Sequence, residues 1–328
     1  MREEWSALAH AGGNIFATPE FLTLWWRRFG TGELYATACR GGDGRLVALV
    51  PLYRRGGVVS LVRFLGHRAG DELGPVALRD DLALAQDAVR RLLADAPWRW
   101  AVFVGEQLPG DEEWAAALGA RVLSTDGNAV LRLEGETWES LMAGWSAKLR
   151  RDLRSDERKL AERHGLAFRL ATRETLDADL DSLFALHRER WPKSAFGDRE
   201  AFHREFATLA LERGWLRLWF LELEGKPAAC WHGFRFEGIE SHYQVGRDPA
   251  WDKWGIGTLL SGHTIREAVA DGIREYRFLR GNESYKYRFA KEDPGLVTIG
   301  LTRGVVGRAA LAGAVAARGA RQRLRARA

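Results

Sequence analysis

Two short stretches of the chain combine residue types that handle phosphate with residue types that handle protons. The first is Trp251-Asp-Lys-Trp-Gly-Ile-Gly-Thr258, in which Gly255 and Gly257 flank Ile256 ahead of a helix-like segment. N–H groups at a helix start lack intrahelical acceptors, and glycine lets an anion come close to the backbone. Lys253, Trp254 and Thr258 share this stretch and are candidates, with the glycines and Ile256, for holding a phosphorylated group. The second is Arg280-Gly-Asn-Glu-Ser-Tyr-Lys-Tyr-Arg-Phe289. It gathers Glu283, Tyr285 and Lys286, which move protons and hold negative charge. A phosphate cradle beside acid–base groups points to group transfer from a phosphorylated carrier.

Other residues compete between chemistry and packing. His232 and His242 fall in adjacent strand-like runs, and either has the titration range of a general base; a strand histidine is also a common structural residue. His187 and Trp191 are four apart on a helix-like segment and share a face. With Phe196 they line an acceptor cleft or pack a core. Glu283 pairs with Lys286 three residues on, or takes a proton from an acceptor amine. Lys148, Arg151 and Arg158 recur at helical spacing, which a solvated charged face also explains.

The elements that must position these groups follow from periodicity and turn residues. Pro19 to Phe29 and Asp81 to Ala94 read as helices, and Leu34 to Cys39, Leu46 to Tyr53, Val58 to Leu65 and Trp100 to Val104 as strands. The order then repeats. Leu176 to Arg190, Arg199 to Arg213 and Ile256 to Ala270 are helix-like. Leu216 to Leu223, Ala228 to Phe236, Ser241 to Val245 and Tyr276 to Leu279 are strand-like. The turn Asp43-Gly-Arg45 recurs as Glu224-Gly-Lys226, and the strand ending at Gly66 recurs as one ending at Gly246. Both offsets are about 180 residues, which suggests a duplicated α/β module. Thr137 to His164 reads as one or two helices with an apolar stripe through Trp145, Leu149, Leu153 and Leu160. The expected partition is residues 1–135, 136–302 and a tail, 303–328.

Composition narrows the class. A chain of 328 residues, 46% apolar and 28% charged, reads as a soluble two-domain protein. Two cysteines, Cys39 and Cys230, exclude a disulfide framework, and no metal-ligand spacing occurs. The expectation is a cytoplasmic protein without signal peptide, membrane span or metal. The net charge of +5 is local: Gly295 to Ala328 holds seven Arg and no acid. Without it, 42 basic residues face 44 acidic ones, which argues against a nucleic-acid partner for the folded body. The tail itself reads as disordered or as a basic helix outside either core, suited to peripheral contact with an anionic membrane.

The order hairpin, strand, Gly-x-Gly turn, helix, strand, Tyr-bearing segment resembles the acyl-CoA core of the GNAT superfamily. Local words are closer to the bacterial CelD-type acetyltransferases, related to the Fem aminoacyl transferases. They are Ser146-Ala-Lys-Leu-Arg-Arg151, Leu186-His-Arg-Glu-Arg-Trp191, Lys226-Pro-Ala-Ala229, Tyr243-Gln-Val-Gly-Arg-Asp-Pro249 and Leu279-Arg-Gly-Asn-Glu-Ser-Tyr-Lys286. The resemblance implies a tandem double GNAT fold of class α/β, with mixed sheets flanked by helices. It also implies an acyl-CoA donor such as acetyl-CoA, and an amine acceptor, a small molecule or sugar amine, attacking the thioester directly. It makes Tyr285 the acid that protonates the leaving thiolate and Lys286 a stabiliser of the oxyanion. It places Lys148 and Arg150 on phosphate, and Tyr243 beside the substrate. One departure stands out: Asp252 occupies the position three before the first glycine, where many GNAT proteins carry Gln or Arg, and Lys253 is the compensating charge. A Fem-like transferase using aminoacyl-tRNA and a non-catalytic scaffold for envelope polysaccharide synthesis are the rival readings.

Overall fold

The computed structural model describes the backbone of every residue except Pro97, Lys193, Ala195 and Ala328, and the side chains to Ala317 apart from those three internal positions. The first half runs α1 (Arg2–Gly12), α2 (Pro19–Phe29), β1 (Glu33–Arg40), β2 (Leu46–Arg55), β3 (Leu61–Phe64), β4 (Val76–Ala77), α3 (Leu82–Ala94), β5 (Val102–Pro109), α4 (Trp114–Leu118) and β6 (Arg121–Asp126). The second runs β7 (Asn128–Arg132), α5 (Trp138–Gly144), α6 (Ala147–His164), β8 (Ala167–Leu170), α7 (Leu176–Arg190), α8 (Glu200–Glu212), β9 (Leu216–Leu223), β10 (Lys226–Phe236), β11 (Ile239–Arg247), α9 (Ile256–Ala270) and β12 (Glu275–Arg280). β13 (Leu296–Thr302) and α10 (Gly304–Arg327) complete the chain.

Two compact units result, residues 1–127 with 294–328, and residues 128–293. Each is a mixed sheet flanked by helices. The first sheet has the order β1-β2-β3-β5-β13-β6, with β4 also on β2; the second has the order β7-β12-β11-β10-β9-β8. In each, one neighbouring pair is parallel, β3 with β5 and β11 with β12, and the helix between the paired strands, α3 or α9, makes the crossover. This shared order is the structural form of the repeat seen in the sequence.

The partition corrects the expected boundaries. β7 pairs antiparallel with β12, so the second unit begins at Asn128 rather than at 136. β13 lies between β5 and β6 and belongs to the first sheet, not to the second module. The two ends of the second unit meet: Asp293 accepts a 2.7 Å hydrogen bond from the Asn128 N–H, and Val130 bridges Glu292. The tail expectation is corrected as well. The Arg303 N–H donates to Ala101 O at 2.9 Å, and Ala310 and Leu311 of α10 pack on Ala101, Val102 and Val104. Five of the seven tail arginines lie outside the described side chains.

Side chains close the starts of α2, α5 and α6. Thr18 caps α2 by accepting from the Phe21 N–H, with Pro19 at the first helical position. Thr137 and Ser140 form a capping box on α5, and Ser146 caps α6. α9, like α1, α3, α4, α7 and α8, has no side-chain cap, and its cap position is Gly255 at φ +60°.

Candidate active site

The second sheet opens where β11 and β12 part. The two strands pair only over Ile239–Ser241 with Glu275–Arg277, after which β12 stays with β7 and β11 with β10. A cleft of about 460 Å³ occupies the opening. The Asp248 N–H donates to Ala228 O at 2.9 Å. Strand alternation therefore turns the backbone groups of Arg247 and Val245 away from β10, toward the opening. Next to them, β11 gains one residue at Tyr243, between the pairs His232–Gln244 and Gly233–His242. Such a bulge re-aims the strand beside a cleft. On the other side, a Cβ at Gly246 would lie 2.5 Å from the His187 N, so only glycine lets α7 pack this closely on β11.

The uncapped start of α9 faces this cleft. Gly255, Gly257 and Thr258 line it, and a Cβ on Gly257 would meet only the Arg247 Cδ, at 3.8 Å. The first turn of a helix concentrates unpaired N–H donors and the positive end of its dipole. Asp252, the anion in the loop before it, is neutralised. Its carboxylate takes two bonds from Arg247, one at 3.1 Å, and that contact holds it below the usual carboxylate range. Arg288 adds positive charge at the rim, donating to Thr258 Oγ1 at 3.2 Å and pairing with Asp152 at 3.3 Å.

Glu283, Ser284 and Tyr285 line the cleft from the segment after β12. The Tyr285 hydroxyl is 3.3 Å from His242 Nε2, and His242 Nδ1 is 3.2 Å from the Tyr276 hydroxyl. Tyr276 lies 2.9 Å from Thr264 Oγ1, and Thr264 donates to Ser261 O at 3.0 Å. Thr264 has one hydroxyl proton, and the carbonyl takes it. Tyr276 therefore donates to Thr264, His242 donates through Nδ1, and Nε2 accepts from Tyr285. Burial pushes the Tyr285 phenol well above its ordinary pKa, with Glu283 adding to the effect, while burial keeps His242 neutral. Tyr285 is thus a protonated phenol at neutral pH, held by a neutral imidazole.

Several expected site residues serve the frame instead. Lys286 is 3% exposed. Its ammonium donates to Leu279 O at 3.1 Å and Arg280 O at 2.8 Å, and pairs with Glu283 at 2.9 Å. It fixes the end of β12, where Leu279 takes the unusual φ of +54°, rather than facing the cleft. Arg150 donates to Ala143 O and Trp145 O at 3.0 and 2.8 Å, closing the end of α5. Lys148 is exposed and pairs with Asp152 at 2.8 Å, so it reaches the α9 start only through Asp152 and Arg288. Ile256 is in the core, and Trp254 packs against that core with Lys253 over its ring.

On the α7 side, Trp191 lines the cleft, while His187 is buried and 3.2 Å from the Gln244 side-chain oxygen. Phe196 is buried against His187 and His203. His232 is 1% exposed with neither ring nitrogen bonded, and Tyr243 packs on it. These residues form an aromatic wall behind the cleft, and His232 does not reach its surface. Sequence reasoning missed Arg190, Arg247, Arg288 and the Tyr276–Thr264 pair. Arg190 and Arg247 sit inside the motif words quoted above, but a single arginine carries no periodic signal. Among the described residues no group of His, Cys, Asp or Glu is placed to hold a metal ion.

Residues 147–287 match the family model of the acetyltransferase (GNAT) domain. That span covers α6 through the Tyr285 segment, so the cleft belongs to the GNAT-matched part of the chain. The relation is to the GNAT domain, coarser than the CelD-type group that the local words resemble. A search of curated proteins returns no matching relative. Among solved structures, FemX superposes with a TM-score of 0.64 at 11% identity, over 92% of this chain and 96% of that one. The C-terminal domain (DUF2156) of a putative lysylphosphatidylglycerol synthetase from Agrobacterium fabrum gives 0.60 at 14%, over 96% and 95%. A conserved protein of unknown function from Bacteroides thetaiotaomicron gives 0.57 at 12%, over 92% and 96%. At these identities the likeness is one of fold. The two mixed, helix-flanked sheets are the tandem GNAT-like α/β fold expected from the sequence.

Proposed function

We propose that the chain is an acyltransferase that moves an acyl group from acyl-CoA to an amine by direct attack. The observation that carries this reading is the convergence, in one cleft, of the uncapped α9 start and the protonated Tyr285. The donor pyrophosphate lies on the first turn of α9, whose unpaired N–H groups and helix dipole supply the positive field, while Arg247 cancels the charge of Asp252. The thioester runs along β11, where the N–H groups facing the opening stabilise the oxyanion. The amine nitrogen forms the new bond to the acyl carbon and loses a proton to solvent. The C–S bond breaks, and the thiolate takes its proton from Tyr285. Glu283, at the rim, is placed to help the amine lose its proton. Lys286 acts by position, holding the strand end that carries Tyr285. Acetyl-CoA is the simplest donor, and a small-molecule or sugar amine the acceptor class.

Calorimetry with acetyl-CoA, longer acyl-CoAs and aminoacyl-tRNA tests the donor. Gly257→Val fills the space beside Arg247 and should abolish CoA binding while the far-UV circular dichroism stays unchanged. A folded variant with undiminished CoA affinity refutes the cradle. Binding of tRNA that weakens steeply with salt, without CoA binding, would move the donor to aminoacyl-tRNA.

A further inference from the structure

The cleft has two walls on opposite faces of the second sheet. Val245 packs on the core that contains Ile256 and Leu259 of α9, whereas the next residue, Gly246, faces the backbone of α7. A donor whose phosphates sit on α9 therefore leaves the α7 wall to the acceptor. Arg190, the last residue of α7, lines the cleft from that wall. Its guanidinium stacks 4.3 Å from the Trp191 ring centre, and among the described residues it has no hydrogen bond or ion pair. The other cations around the cleft are engaged: Arg247 with Asp252, Arg288 with Asp152, Lys286 with Glu283. The charge of Arg190 is felt both at Asp252 and at Tyr285, so it lies within reach of the reacting end.

A stacked guanidinium has its flat face occupied and its N–H edge free, and that edge matches the two oxygens of a carboxylate or phosphate. We infer that Arg190 recognises an oxyanion on the acceptor, so that the acceptor class is an anionic amine. This rests on the acyl-CoA reading above, which puts the donor on the α9 side.

The test uses acceptor pairs that differ in one charge: phenylalanine against phenylalaninamide for the carboxylate, glucosamine 6-phosphate against glucosamine for the phosphate. Thiol release from acetyl-CoA and longer acyl-CoAs gives kcat/KM, and calorimetry of each pair without donor gives binding alone. In the full chain, the anionic member of one pair should be preferred tenfold or more. Arg190→Ala should cut kcat/KM for that member by about ten- to a hundredfold, the usual worth of a charge-assisted bond. The neutral member and CoA affinity should stay within about twofold, and Arg190→Lys should recover part of the loss. Equal or absent response to both members of every pair overturns the inference. So does an Arg190→Ala variant that loses CoA affinity with its acceptor preference intact, since Arg190 then serves the donor. If CoA does not bind the wild type, the acyl-CoA reading fails. The donor-free calorimetry still decides the role of Arg190, which stands only if binding of the anionic member is lost in Arg190→Ala.

Discussion

The second unit should be acid-labile, and its buried histidines set the size of the effect. His187, His232 and His263 are 2%, 1% and 8% exposed. Burial lowers their pKa values from 6.5 to about 4, about 3 and about 4. Their charged forms are disfavoured in the folded state, so the unfolded chain binds more protons below pH 6.5. The stability they contribute is complete above 6.5 and is lost as the pH falls toward 4. At pH 5.5 each costs about 1.4 kcal/mol relative to pH 7.5, so the three together cost about 4 kcal/mol. His203 and His242 shift in the same direction. A loss of this size is a large share of the roughly 5–15 kcal/mol that holds a typical domain folded. Urea unfolding at pH 7.5 and 5.5, with hydrogen exchange read on peptides of β10 and α9, measures it. His232→Gln should lower the pH slope by about one proton. Stability that is equal or greater at pH 5.5, or a slope untouched by His232→Gln, would refute the reasoning.

Three further outcomes follow from the site and the tail. Tyr285→Phe removes the proposed proton donor without emptying the wall, so kcat should fall about a hundredfold or more with CoA affinity little changed, by steady-state kinetics and calorimetry. Lys286→Met leaves the carbonyls of Leu279 and Arg280 without their ammonium. It should destabilise the second unit by about 1–3 kcal/mol in urea unfolding, where a surface lysine would change little. Ending the chain at Arg303 removes the contact of Ala310 and Leu311 with β5 and should cost the first unit about 1–2 kcal/mol, whereas ending it at Ala317 should leave that unit's unfolding midpoint unchanged.

The fold was legible where local signals are strong. α2, α7, β9 and α9 fall at the residues that periodicity and end signals give them. Strands β4, β6, β7, β8 and β13 are not read from the sequence, and nothing local says which sheet a strand joins. That choice produced the error in the boundaries: β7 and β13 are assigned by pairing, not by proximity in sequence. At the site, Gly255, Gly257, Thr258, Glu283 and Tyr285 stand out in the sequence as glycine-turn and acid–base words, and all five line the cleft. Lys286 and Arg150 were misplaced for a common reason. A cation in a motif looks the same whether it meets a ligand or a strand-end carbonyl, and only the fold distinguishes the two. Asp252 looked like an obstacle to an anion until Arg247, five residues earlier, proved to cancel it.

The position of β13 also dictates the order in which the protein can fold on the ribosome. The first unit is made first, but β5 and β6 have no shared neighbour until residues 296–302 emerge. All of the second unit, residues 128–293, must be synthesised in between. At about 5–20 residues per second, this is a wait of roughly ten to thirty seconds. The second unit has both its ends and all its strands in hand as soon as Asp293 appears. The later-born unit should therefore reach its native state first, while the nascent N-terminal sheet stays open between two strands. That unpaired edge is the segment of the chain most exposed to chaperones, and to aggregation, during synthesis.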